Sequence, residues 1–260
     1  MVNGMNDKKF CFIICVNNRE YLNECISYIQ RLVIPDGFEI DLLTIEDCDS
    51  MAKGYNEAME ASDAKYKVYM HQDTYICNVN FMRDVLDVFS KDDKIGALGI
   101  KGGESFLANE ITRPIEMYGD VLSLKSIDNY HSKKYKTEYK EFGKIEGEYV
   151  EVNSIFSQMF VTKVDLPWED LFEKDWKNTT VIHSLKMLEK GYKLVIPKQD
   201  EPWCIHDGNN WGYGYSKKEI DVLKQRFPKL IDDNFSKRIL CCNTEEIKYS
   251  TIMFSLSSGI

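Results

Sequence analysis

Three consecutive residues, His71-Gln72-Asp73, carry the side chains best suited to chemistry in this chain, and they follow directly on Tyr66-Lys67-Val68-Tyr69-Met70, which reads as a half-buried strand. An imidazole and a carboxylate two positions apart can share a cation or direct a proton. In open α/β sheets ligands bind beyond the carboxyl ends of strands, so this abrupt change from apolar to polar marks a candidate site. Asp73 taken alone is equally a turn residue, since Asx-turns and helix caps favour Asp. A second cluster of the same kind closes Pro202-Trp203-Cys204-Ile205-His206-Asp207-Gly208, a short strand that ends in an imidazole and a carboxylate. An acidic, aromatic stretch from Leu166 to Trp176 adds Asp170, Glu173 and Asp175 just before a helix that begins near Thr179.

Those residues need a scaffold. Phe10 to Val16 reads as a buried strand, and Asn17 with Glu20 reads as a capped helix start. That helix carries Leu22, Cys25, Ile26, Ile29 and Leu32 on one face and stops at Pro35-Asp36-Gly37. Phe38 to Ile45 forms the next strand, Ser50 opens a helix to about Ala61, and Tyr66 to His71 is strand three. Asn78 or Asn80 caps a helix with Phe81, Val85, Val88 and Phe89 inward, and Ile95 to Ile100 is strand four. Strands alternating with helices in this way predict a parallel, doubly wound sheet with helices on both faces.

Residues 101–148 break the rhythm and read as a variable, solvated excursion, because the Lys residues around His131-Ser132-Lys133-Lys134 are interleaved with Glu138, Glu141, Glu146 and Glu148. Strands return at Tyr149 to Asn153 and Gln158 to Lys163. Then come a helix with Val181, Leu185 and Leu188 inward, Gly191 as its C-terminal glycine, and a strand from Tyr192 to Ile196. Ser216 with Glu219 caps a last helix before Pro228, and residues 229–260 carry no readable pattern.

The chain has 260 residues, 43% hydrophobic and 29% charged, which suits one large α/β domain. Its net charge of −9 repels a nucleic-acid backbone, and no basic stripe offsets that. A diphosphate entering so acidic a protein needs a helix N-terminus, a local Lys or Arg, or a divalent cation. The 8 cysteines form no C-x-x-C pair, which fits reduced thiols in a cytoplasmic protein. A zinc set of Cys77, Cys204, His206 and His71 matches no standard finger or ribbon spacing. The polar N-terminus and the short apolar run after it are unlike a signal peptide or a membrane span.

Together these stretches resemble the nucleotide-sugar-dependent glycosyltransferases of the GT-A fold, family 2-like, and within them a small bacterial branch related to a streptomycin-biosynthesis protein. The resemblance runs through Phe12-Ile13-Ile14-Cys15-Val16-Asn17-Asn18, Ser50 to Met59 around Gly54-Tyr55-Asn56-Glu57-Ala58, His71-Gln72-Asp73, Gly191-Tyr192-Lys193 to Pro197, and Pro202 to Asp207. It implies a nucleotide-sugar-binding half over about residues 10–100 and an acceptor and catalytic half over 149–228 of a single domain. Asp73 takes the place of the metal-binding Asp of the D-x-D motif, holding Mn²⁺ or Mg²⁺, and His206 resembles the His that completes the metal shell. His71 replaces the first Asp, giving H-x-D. An imidazole suits Mn²⁺ better than Mg²⁺, and His71 can instead bond the ribose or a phosphate. Asn17, Asp47, Ser50, Asn56, His71 and Gln72 fall where relatives contact the donor, a UDP-sugar in the first instance.

The resemblance further implies inversion by direct displacement, with a carboxylate as base near the acceptor cleft. Asp175 is placed there, beside Trp176, whose ring can stack on an acceptor sugar; Asp170 and Glu173 are the alternatives. The implied acceptor is a hydroxyl of a glycan, a lipid-linked molecule or a small molecule. A non-catalytic sugar-nucleotide or glycan-binding domain is the competing reading. A sugar-1-phosphate nucleotidyltransferase fits less well, since Asn17-Asn18-Arg19 lacks the glycines of its phosphate loop.

Overall fold

The computed structural model describes residues 4–103, 117–126, 135–172, 178–207, 217–231 and 249–251. Strand β1 (Asn6–Cys15) is buried on both faces from Phe10 to Ile14, as a strand inside a covered sheet must be. Helix α1 (Arg19–Ile29) is capped by Asn18, not by the expected Asn17; the Asn18 side chain accepts from the Glu20 and Tyr21 N–H groups. Asn17 is engaged elsewhere, accepting from the Gln72 amide. Strand β2 (Glu39–Ile45) leads to α2 (Met51–Ala61), where the Ser50 hydroxyl accepts from the Lys53 N–H at 3.3 Å. Gly54 lets α2 lie against β2, because a Cβ there would stand 2.5 Å from Ile45 Cγ2.

Strand β3 (Ala64–His71) is followed by a short β4 (Thr74–Ile76), α3 (Phe81–Lys91) and β5 (Ile95–Gly99). Asn80 holds the cap position of α3 without a side-chain cap bond, while Asn78 accepts from the Asn80 N–H and donates to Asp84.

The stretch expected to be a solvated excursion instead contributes β6 (Gly102–Gly103) and two long paired strands, β7 (Met117–Ser126) and β8 (Tyr135–Phe142). Alternate positions explain the difference. Val121, Ser123 and Phe142 are buried, and Lys140 and Glu138 on the same face neutralise one another at 3.3 Å, with side chains only 11% and 14% exposed. Charge at every second inner position therefore hid a period of two. His131 to Lys134 lie outside the described residues.

The remaining elements are β9 (Tyr149–Val152), β10 (Ser154–Ile155), β11 (Met159–Thr162), α4 (Thr179–Glu189), β12 (Lys193–Pro197), β13 (Cys204–His206), α5 (Lys217–Arg226) and β14 (Tyr249–Thr251). Gly191 follows α4 with φ +85°, the left-handed backbone that ends helices. Ser216, the expected cap of α5, lies outside the described residues.

The main sheet has the order β2-β1-β3-β11-β5-β12-β9, and β1, β2, β3, β5 and β12 all run one way while β11 and β9 oppose them. One face carries Phe10, Phe12 and Ile14 against α1 and α3, and the other carries Cys11 and Ile13 against α2. A second sheet, β10-β6-β7-β13-β4 with β8 and β14 alongside, lies beyond the carboxyl edge of the first. Among the described residues no helix is long and apolar enough to cross a membrane.

One ion pair anchors the middle of the main sheet. Lys67 on β3 is wholly buried, and its ammonium donates to both Asp165 oxygens at 2.9 and 2.8 Å and to the Ala64 carbonyl at 2.8 Å. Removing one partner of a buried pair costs more than the pair itself contributes, because the other charge stays behind. Asp165→Ala is expected to lower unfolding free energy by about 3 kcal/mol, read from a urea midpoint at constant m; unchanged stability would contradict this account.

Candidate active site

Strand β3 ends at His71 and the chain turns at once into β4, which pairs antiparallel with β13 in the register Thr74 with His206. Beyond that pair the Asp207 N–H donates to the Asp73 carbonyl at 2.8 Å. Two stretches far apart in sequence are thereby fixed side by side. Asp73 Oδ1 lies 3.7 Å from His206 Nε2 and 3.9 Å from His71 Nδ1, and one ligand atom from each residue falls within 4.8 Å of the others. Both separations exceed a hydrogen bond.

Asp73 Oδ1, His71 Nε2 and His206 Nδ1 are buried and have no hydrogen-bond partner. Such orphaned atoms are costly and call for an explanation. The orphaned nitrogens are each ring's other nitrogen, and the donors that approach one another are Asp73 Oδ1, His206 Nε2 and His71 Nδ1. A divalent cation fits these distances from Asp73 of 3.7 and 3.9 Å, since two atoms bound to one ion at about 2.0–2.2 Å lie up to about 4 Å apart. Burial lowers the pKa of both imidazoles, against the opposing pull of Asp73; on His206 the charges of His71, Lys101 and Lys140 lower it further. Both rings are therefore neutral near pH 7, the form that ligates metals.

The supports are specific. Gln72 Oε1 accepts from the backbone N–H groups of Asn17 and Asn18 at 3.0 and 2.9 Å, so this side chain binds the end of β3 to the β1–α1 turn. The Cys25 thiol on α1 donates to the Thr74 carbonyl at 3.4 Å, tying α1 to β4. Gln199 donates to the Ile100 carbonyl at 3.1 Å and accepts from the Trp203 N–H at 3.0 Å, joining the end of β5 to the entry of β13.

Asn56, on α2, donates to the Trp168 carbonyl at 2.9 Å and accepts from the Trp168 N–H at 2.7 Å. Both amide atoms are thus occupied in holding the segment that carries Asp170. Asp170 itself is exposed, and its charge acts on Lys53 of α2. Ser50 is buried as a helix cap, and Asp47 is exposed with φ 53°, in the left-handed region that Asp tolerates better than most side chains. Asp175, Glu173 and Trp176 lie outside the described residues. The sulfurs of the zinc alternative stand apart: Cys204 is buried in the core, and the Cys77 thiol donates to the Pro202 carbonyl at 3.1 Å.

Two features escaped the sequence reading. Lys101 follows directly on β5, and the only signal was a charge ending the apolar run Ile95-Gly96-Ala97-Leu98-Gly99-Ile100. His183 lies on α4, wholly buried and stacked on Trp168 at 3.8 Å with an interplanar angle of 15°. Its helical spacing with Val181 and Leu185 disguised it as a surface position.

The layered architecture is that of the GT-A fold. The chain matches Staphylococcus aureus TarS residues 1–349, solved with UDP-GlcNAc, at TM-score 0.51 and 12% identity, covering 91% of this chain and 68% of that one. A mannosyltransferase from Pyrobaculum calidifontis, solved with GDP-Man and Mn²⁺, is more distant at TM-score 0.46 and 11% identity, covering 92% and 66%. No curated protein matches in sequence. The chain belongs to the glycosyltransferase-like family, which it matches over residues 11–226.

His183 makes the acid limb of stability testable. Burial, and secondarily Lys186, pushes its pKa down to about 3, against an ordinary 6.5 when unfolded. The unfolded chain therefore binds the extra proton first, and stability falls as pH drops from about 6.5 towards 3. Between pH 7 and 4 this group accounts for about 3 kcal/mol. His183→Phe is expected to flatten that limb in urea titrations across pH, whatever its effect at pH 7; an unchanged slope would refute the assignment.

Proposed function

We propose that this protein transfers a sugar from a nucleoside-diphosphate sugar, a UDP-sugar in the first instance, to a hydroxyl of a glycan, lipid-linked or small-molecule acceptor. The observation that carries the reading is the convergence of Asp73, His206 and His71 at the carboxyl edge of the sheet, with Asp73 Oδ1 within 3.7 and 3.9 Å of the two imidazoles. Membership of the glycosyltransferase-like family and the fold shared with TarS, which holds UDP-GlcNAc, support it.

In this reading Asp73, His206 and His71 hold a divalent cation, and a set with two imidazoles favours Mn²⁺ over Mg²⁺. The ion supplies positive charge beside the departing diphosphate, which an acidic protein otherwise lacks. Asp47 and the Asn17 turn border the nucleoside. Ser50, Asn56 and Gln72 act on the donor by fixing the helix start, the acceptor-side segment and the β1–α1 turn.

Transfer is a direct displacement with inversion. The acceptor oxygen forms a bond to the anomeric carbon as the bond to the diphosphate oxygen breaks, and the electron pair leaves with the diphosphate. A carboxylate removes the hydroxyl proton. Asp175 is the proposed base, with Trp176 against the acceptor sugar, and Asp170 is the alternative. Residues 10–100 then serve the donor and 149–228 the acceptor.

Thermal unfolding with UDP-, GDP- and dTDP-sugars, each with and without Mn²⁺, tests this reading. Stabilisation is expected only when both donor and ion are present, and Asp73→Asn should abolish it. Whichever of Asp175→Asn and Asp170→Asn removes the base should cut turnover by about 10²–10⁴ while leaving donor binding intact. Donor binding with neither transfer nor hydrolysis under any condition would instead identify a non-catalytic sugar-nucleotide-binding domain.

A further inference from the structure

We propose that Lys101 is the protein's own docking cation for the donor diphosphate, an assignment that rests on the donor site proposed above. Lys101 stands between β5 and β6, at the carboxyl edge where β3 delivers His71 and Asp73. Its backbone is held on both sides: its carbonyl accepts from the Phe156 N–H at 3.0 Å, and the preceding Ile100 carbonyl accepts from Gln199 at 3.1 Å. The ammonium lies 4.2 Å from the centre of the Phe142 ring and 5.3 Å from that of Phe156, so two aromatic faces set its direction.

The surroundings place this charge beside the cluster. Phe142, Lys140 and Glu138 occupy alternate positions on one face of β8. Glu138 is paired across β7 with Ser123, and Ser123 is in register with His206 on β13. Cross-strand partners share a face, so His206, Ser123, Glu138 and Lys140 line one surface, with Lys101 over Phe142 at its end.

The two lysines differ in one respect. Lys140 is paired with Glu138 at 3.3 Å, whereas among the described residues no carboxylate pairs with Lys101, although it is partly buried. An unneutralised ammonium in such a place is unfavourable, and burial together with the Lys140 charge pushes its pKa down to about 8. An anion brought alongside relieves both penalties. In a chain of net charge −9, an oriented and unpaired cation at the active edge is suited to a ligand with concentrated negative charge. A diphosphate carries that charge in every nucleotide sugar, and a uronic-acid sugar would add a carboxylate as a second source.

The test uses the full chain, calorimetric titration and Mn²⁺ throughout, with inorganic pyrophosphate, UDP, GDP, UDP-glucose and UDP-glucuronate as probes. Lys101→Met keeps the aliphatic stem against Phe142 and Phe156, and is expected to weaken pyrophosphate and the nucleoside diphosphates by about tenfold or more. Lys101→Arg should restore most of that affinity, and Mn²⁺ alone should bind the Met variant no more weakly than wild type, since a repelling charge is gone. Equal pyrophosphate affinity in wild type and Lys101→Met overturns the assignment. So does a loss confined to UDP-glucuronate, which would give the lysine to a sugar carboxylate. If wild type binds none of the five probes, the donor-site reading itself fails and this assignment fails with it.

Discussion

The structure depends on one antiparallel pairing of three residues, β4 with β13. Thr74 opposite His206, and the bond from Asp207 to the Asp73 carbonyl, bring the carboxylate of one half against the imidazole of the other. Strand β4 is too short to hold this geometry unaided. Its position is secured from three sides: Gln72 ties its entry to the β1–α1 turn, Cys25 ties it to α1, and Gln199 ties the start of β13 to the end of β5. Each is a bond to backbone, so each fixes where the chain runs and leaves the neighbouring side chains free for chemistry.

Electrostatics follow from that packing. Burial holds His71 and His206 neutral, and the same burial leaves the Asp73 oxygen without a donor. Neutral nitrogen and charged oxygen set about 4 Å apart gain little from one another but can both bind a hard or borderline cation. The arrangement also divides labour among cations: Lys67 is consumed by Asp165 in the core and Lys140 by Glu138 on the second sheet, while Lys101 lies over the Phe142 and Phe156 rings and, among the described residues, pairs with no carboxylate.

The sequence was most readable where one pattern dominated. The apolar run from Phe10, the Ser50 cap, Gly191 and the change from Met70 to His71 each carry a single physical meaning, and the corresponding elements stand where those residues place them. Asn17 and Asn18 are equally good caps, and a distant glutamine decided between them. For β8 the obstacle was that inward Lys140 and Glu138 satisfy each other, so a strand facing the protein had the composition of a surface loop. Asn56 looked like a ligand contact because a mid-helix Asn needs a reason, and the reason is a backbone clamp across more than a hundred residues. Pairings of this range leave no local trace.

Gly119 shows how narrowly one position is constrained. Its φ is +107°, and a Cβ there would stand 2.1 Å from the Ile100 carbonyl oxygen, immediately before Lys101. Gly37, with φ +78°, meets nothing nearer than a lysine tip at 3.6 Å. As copies of this gene diverge, position 37 can drift to Asn or Asp, whereas position 119 is closed to every L-amino acid as long as the second sheet continues to rest on the end of β5.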